Sequence, residues 1–158
     1  MLPPLRGTQI RVELRESLGP HLAATSIPQR LILLDQEVLE KRGDFERILI
    51  HEIFHFAWVR LSNVIRRDWE MTLARELDLN ARGELGWSAE RRKKKLTSSQ
   101  VRGRSRAWRL YACESFCDTA AWRFAGVGRH DEFTLAARFR RRRGVWFKRH
   151  MECGVVLI

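Results

Sequence analysis

The sequence predicts one α+β domain, residues 1–158, in which a small N-terminal antiparallel sheet packs on two long helices. Three observations carry that expectation. Residues 8–14 (TQIRVEL) alternate apolar and polar side chains with the period of a half-buried strand. Residues 48–58 (ILIHEIFHFAW) and 106–126 (RAWRLYACESFCDTAAWRFAG) are long apolar-rich stretches bounded by helix stop signals. Strand patterns precede residue 35 and helical ones follow it, and the length fits a single core. Six Trp and eight Phe supply the bulk to fill that core.

The elements follow in order. Within HLAATSIPQRLILLD (21–35), a short strand, a turn around Ser26, Pro28 and Gln29, and a more apolar strand at Leu31 to Leu34 complete the expected sheet. QEVLEKRGD (36–44) reads as one helical turn ending at Gly43, after which Asp44 caps a helix from Phe45 to about Leu61. NVIRRDWEMTLARELDLN (63–80) predicts a second helix with Val64, Trp69, Leu73 and Leu77 towards the core, closed by Gly83 and Gly86. Residues 87–105 are basic and Ser-rich without apolar periodicity, which predicts a mobile connection. A helix resumes at residue 106 and stops at Gly126 and Gly128; another runs through DEFTLAARFRRRR (131–143), and GVVLI (154–158) docks as a strand or terminal plug.

Charge and cysteine usage narrow the setting. The net charge of +11 is concentrated in residues 91–109, with nine Lys or Arg and no acid, and in residues 138–150, with seven more. Such runs are either solvated faces or phosphate-neutralising surfaces, so nucleic acid is a candidate partner through residues 91–109 and 138–149. Cys113, Cys117 and Cys153 are an odd number at spacings unlike a secreted disulfide framework, which points to a reducing compartment. The start lacks a basic segment followed by an apolar one, and no apolar run approaches the roughly 20 residues of a membrane span. A cytoplasmic chain is expected.

The chemistry is concentrated in the apolar helix. Residues four apart share one helical face, so His51 and His55 can direct both imidazoles at one ion. Zinc suits two nitrogens, a third protein ligand and a water. Glu52 lies close enough in rotation to reach that water without ligating the metal. Leaving three ionisable groups unpaired among Ile48, Ile53, Phe54, Ala57 and Trp58 would be costly, which favours a metal over a chance pattern. Glu114 and Asp118, again four apart and set among Tyr111, Ala112, Phe116 and Trp122, are the candidates for third ligand and for the carboxylate that orients a ligating histidine. Cys113 and Cys117 are offset from Glu114 and are expected to face the core as small hydrophobes.

HEIFH on one helix followed by ESFCD on a later one resembles the gluzincin zinc metallopeptidases. The resemblance implies a zincin-like arrangement with His51, His55 and Glu114 as zinc ligands, Glu52 as general base and acid, and Asp118 as orienter of a histidine. It extends more loosely to RLILL (30–34), a strand that in the family borders the cleft and pairs with extended substrate. The gap of 58 residues between His55 and Glu114 and the absence of a matching C-terminal subdomain depart from the family pattern. The order of strands, histidine helix and basic surroundings is also similar to the SprT-like proteases, which use a third histidine; the spare ones here are His21, His130 and His150. The expected activity is hydrolysis of peptide bonds by a zinc-acidified water, with Tyr111, His130 or an arginine as transition-state donor. The alternative is a nucleic-acid-associated module whose zinc site is structural or inactive. The intact Glu52 favours the enzyme, because a structural site has no use for a base beside an open position.

Overall fold

The computed structural model describes residues 1–41 and 43–158 and has an α+β architecture. Three strands form the N-terminal sheet, β2 (Arg11–Arg15), β3 (Ala23–Ser26) and β4 (Leu31–Asp35), preceded by a short β1 (Leu5–Arg6). The sheet is mixed, which corrects the antiparallel expectation: in the order β2-β4-β3, β4 pairs antiparallel with β3 but parallel with β2. The composition of the strands accounts for the order. LILLD is the most apolar strand and takes the centre, where Ile32 and Leu34 are fully buried. RVELR carries three charges that suit a sheet edge. RLILL is therefore the central strand and not the cleft border, a role that falls to β3.

A 3-10 turn (Gln36–Leu39) leads to α1 (Asp44–Arg60). The N-cap is Gly43 at φ 86°, in place of the expected Asp44. Asp44 sits inside the first turn, where its carboxylate suits the helix dipole and accepts from His130 Nε2 at 2.9 Å. One side of α1 places Ile48 and Phe56 against Ile32 and Leu34 of β4. Its other side places Phe54, Ala57 and Trp58 in the larger core with α2 (Asn63–Asp78) and α5 (Arg106–Phe124). In α2, Trp69 and Leu73 are fully buried and Leu77 packs partly against them, but Val64 lies 77% exposed on the opposite side, contrary to expectation.

Residues 87–105 are not a mobile connection. They form α3 (Trp87–Lys93) and α4 (Ser98–Arg102), the latter opened by a capping box between Thr97 and Gln100. Apolar periodicity is absent because α3 buries little beyond Ala89 and is held by ion pairs. Arg92 meets Glu114 at 3.1 Å, Lys93 meets the buried Glu84 at 3.2 Å, and Arg104 meets Glu70 at 2.6 Å. Three of the nine cations of residues 91–109 are tied in this way to acids outside the segment, while Lys94 pairs with Glu90 on the surface.

The last helix, α6 (Ala137–His150), starts later than expected and continues past residue 143 because Phe139, Trp146 and Phe147 give it an apolar stripe. Residues 131–136 instead run as a loop, with Thr134 and Leu135 donating backbone N–H groups to the Glu84 carbonyl. The C-terminal β5 (Val156–Leu157) pairs parallel with β1, and a side chain at Gly7 would overlap the Ile158 backbone. Among the described residues no helix is long and apolar enough to cross a membrane.

Arg143 is fully buried and joins three helices to one loop. Its guanidinium reaches Glu76 of α2 and Glu84 at 2.6 Å each, while Tyr111 of α5 donates to the same Glu84 at 2.5 Å. Removing one partner from such a cluster leaves the others charged and desolvated. Arg143→Ala is therefore expected to destabilise the fold by about 3–5 kcal/mol in denaturant titration. Loss of less than about 1 kcal/mol, the level of an exposed pair, would show that the cluster does not hold the helices together.

Candidate metal centre

The site is built where α1 crosses α5. His51, Glu52 and His55 come from α1; Cys113, Glu114, Cys117 and Asp118 come from α5. His51 Nδ1 lies 2.7 Å from Asp118 Oδ1, which leaves only Nε2 free to face the cleft. That atom lies 3.2 Å from His55 Nε2 and 3.3 Å from Glu114 Oε2, and His55 Nε2 is 4.0 Å from the same carboxylate oxygen. Two zinc–nitrogen bonds of about 2.0–2.1 Å at a tetrahedral angle put their nitrogens roughly 3.3–3.4 Å apart. The His51–His55 and His51–Glu114 separations match that span, while the His55–Glu114 separation is wider.

The cysteines stand on the other side of the His55 ring. Cys113 Sγ and Cys117 Sγ each lie 3.5 Å from His55 Nδ1. Cys117 is fully buried as expected, but Cys113 is only partly so and lines the cleft. His51, His55 and Cys117 form a cluster that could hold a metal ion. The sequence offered no sign of this contact, because the offset of the thiols from Glu114 points them along α5 towards the face of His55 and not simply into the core.

Asp118 is fixed on both oxygens. Oδ1 meets His51, and Oδ2 accepts the Ala89 amide at 3.0 Å from the start of α3. Gly86, immediately before that helix, leaves the space, since a Cβ there would overlap the Asp118 carboxylate. Its φ of −172° is open to any residue, so the demand is for room. In the sequence Gly86 looked like helix punctuation, and nothing linked it to a carboxylate 32 positions later.

The electrostatics describe a site that attracts cations. Burial works against a charge on His51, yet the adjoining Asp118, with Glu114 and Glu52, holds its pKa well above the usual 6.5. Burial likewise opposes ionisation of Glu114, but His51, His55 and Arg92 bring its pKa down to about 2. His55 is raised despite burial, mainly by its contact with Cys113, while the hydrogen bond from Cys117 lowers the Cys113 thiol to about 6. Burial keeps the Cys117 thiol protonated, well above its normal range. A cation bound here would compete with protons for these groups.

A cleft of about 460 Å³ opens over these groups. Its lining includes His51, Glu52, His55 and Glu114, Ala23 to Thr25 of β3, Arg91, Arg92 and Lys95, and His21. Two expected residues are absent from it. Tyr111 is fully buried on Glu84, whose charge and the surrounding burial raise its pKa, and His130 is bound to Asp44. Neither lines the cleft, because each is drawn into a hydrogen bond with a carboxylate elsewhere. Among the cleft residues, Arg92 entered the sequence reasoning only within a basic run and His21 only as a spare histidine. Comparison with family models, curated proteins and solved structures found no match.

The fit between Gly86 and Asp118 has a measurable consequence. Gly86→Ala is expected to displace the carboxylate that orients His51 and to weaken zinc affinity by about 10- to 100-fold, as changes around a ligating histidine commonly do. Asp118→Asn should give a loss of the same order. Competition with a chromophoric chelator measures both, and wild-type affinity in Gly86→Ala would show that the close approach has no part in the site.

Proposed function

We propose that the protein is a zinc-dependent peptidase of the gluzincin kind, with His51, His55 and Glu114 holding the ion and Glu52 serving as general base. The observation that carries this reading is the convergence of His51 Nε2, His55 Nε2 and Glu114 Oε2 within 4.0 Å of one another, with Glu52 in the same cleft. Glu114 is preferred to Cys117 as third ligand because His51 can offer only Nε2, and the Cys117 thiol contacts the opposite nitrogen of His55. Bound zinc would acidify a water and polarise a substrate carbonyl.

The chain's own groups supply the remaining steps. Glu52 accepts a proton from the attacking water and returns one to the departing amine. Arg92, which holds Glu114 Oε1 at 3.1 Å, is 41% exposed in its side chain and lines the cleft, and it serves as the donor to the negative charge that would develop there. Among the described residues the outer edge of β3 has no strand partner, and it offers backbone N–H and C=O groups to an extended peptide. Arg91, Arg92 and Lys95 in the cleft lining favour substrates with acidic side chains. A nucleic-acid-binding role has Arg92, Lys93 and Arg104 drawn into pairs with Glu114, Glu84 and Glu70, but Arg91, Lys94, Lys95, Arg102, Arg106 and Arg109 are exposed, as are Arg141, Arg142 and Lys148 of α6.

Glu52→Gln separates binding from chemistry. The variant keeps the size of the side chain and should retain about one zinc per chain, while cleavage of acidic fluorogenic peptides falls by about 100-fold or more, the usual scale for a general base. Rates equal to wild type would remove Glu52 from the mechanism. Zinc-loaded wild-type protein that cleaves none of a broad peptide library would overturn the peptidase reading itself.

A further inference from the structure

The two nitrogens of the His55 ring face different sets of donors. Nε2 points to His51 and Glu114, whereas Nδ1 is 3.5 Å from both Cys113 Sγ and Cys117 Sγ. Nitrogens on opposite sides of an imidazole cannot share one ion, so the thiols do not simply extend the first site. A sulfur and a nitrogen bound to one tetrahedral ion at about 2.3 and 2.05 Å lie roughly 3.6 Å apart. Both sulfur–nitrogen separations observed here have that length.

We propose that Cys113, Cys117 and His55 Nδ1 form a second metal position, for a thiophilic d10 cation with Cu(I) foremost. Two thiolates and an imidazole are a soft donor set, which favours Cu(I) over the harder divalent ions that carboxylates attract. The position is reachable: Cys113 lines the main cleft and also a smaller one bordered by Trp58, Arg66 and Arg109. On binding, each thiol releases its proton to solvent and His55 keeps its one ring proton on Nε2, leaving a centre of net charge −1 beside those arginines, so Cu(I) on Nδ1 and zinc on Nε2 are alternative occupants of the ring. Cys153, exposed and distant in the chain on the C-terminal side of α6, takes no part. The proposal does not rest on the peptidase reading: of that site it shares only His55, through the opposite ring nitrogen, and it uses neither Glu52, His51 nor Glu114.

The test uses the full reduced chain under anaerobic conditions, with Cu(I) supplied against a chromophoric Cu(I) chelator. Wild type should bind one Cu(I) per chain and develop an ultraviolet thiolate-to-copper absorption band. Cys113→Ser and Cys117→Ser should each weaken binding by about 100-fold, the least expected when an inner ligand is lost, given that outer ones contribute 10- to 100-fold. Cys153→Ser, His51→Ala and Glu114→Gln should bind Cu(I) as wild type does, even where the last two lose zinc. No absorption band in wild type would overturn the proposal without reference to any variant. Loss of Cu(I) in Cys153→Ser, or in His51→Ala with Cys113→Ser unaffected, would place the ion elsewhere and overturn it equally.

Discussion

The Asp118 carboxylate is the contact on which the site depends. One oxygen meets His51 Nδ1 at 2.7 Å and the other accepts the Ala89 amide at 3.0 Å, so a single side chain ties α5 to α1 and to the start of α3. Its effect on His51 is directional. With Nδ1 committed to Asp118, the free lone pair is on Nε2, and Nε2 then faces His55 and Glu114. Its effect on α3 is positional, because the helix that begins at Trp87 carries Arg91 and Arg92, with Lys95 just beyond its end, to the cleft.

That arrangement has to be supported from behind. The segment with Gly83, Glu84 and Gly86 must run close to α5, and it is drawn there by Arg143, Tyr111 and Lys93 converging on Glu84. Buried charges of this kind are a poor source of net stability compared with apolar packing, but they tolerate few alternative arrangements once each partner is matched. The aromatic core of Phe54, Trp69, Phe116 and Phe147 supplies the bulk cohesion, with Phe116 and Phe147 stacked at 5.2 Å between centroids. The ion-pair network then fixes how α3 and its loop lie on that core.

What was legible in the sequence follows this division. His51, Glu52 and His55 were readable because helical spacing puts the two imidazoles on one face, and Glu114 and Asp118 because two acids among aromatics demand partners. The strands and the main helices were readable from apolar periodicity. Where charge replaced periodicity the reading failed: α3 and α4 looked like a basic connection because their partners, Glu84, Glu70 and Glu114, are distant in the chain. The mixed sheet was missed because local alternation says nothing of which strand enters the centre. Tyr111 and His130 were plausible donors by type, and only packing shows Tyr111 on Glu84 and His130 on Asp44. The link from Gly86 to Asp118 and that from both thiols to His55 depend on tertiary approach and leave no local pattern.

The central claim is that the zinc ion takes nitrogen from His51 and His55 and oxygen from Glu114, although Cys117 is near enough to compete. Zinc-edge X-ray absorption of protein loaded with one equivalent tests this directly. The account predicts a first shell of nitrogen and oxygen at about 2.0–2.2 Å with no sulfur. A zinc–sulfur shell at about 2.3 Å would contradict it and would make Cys117 a ligand in place of Glu114.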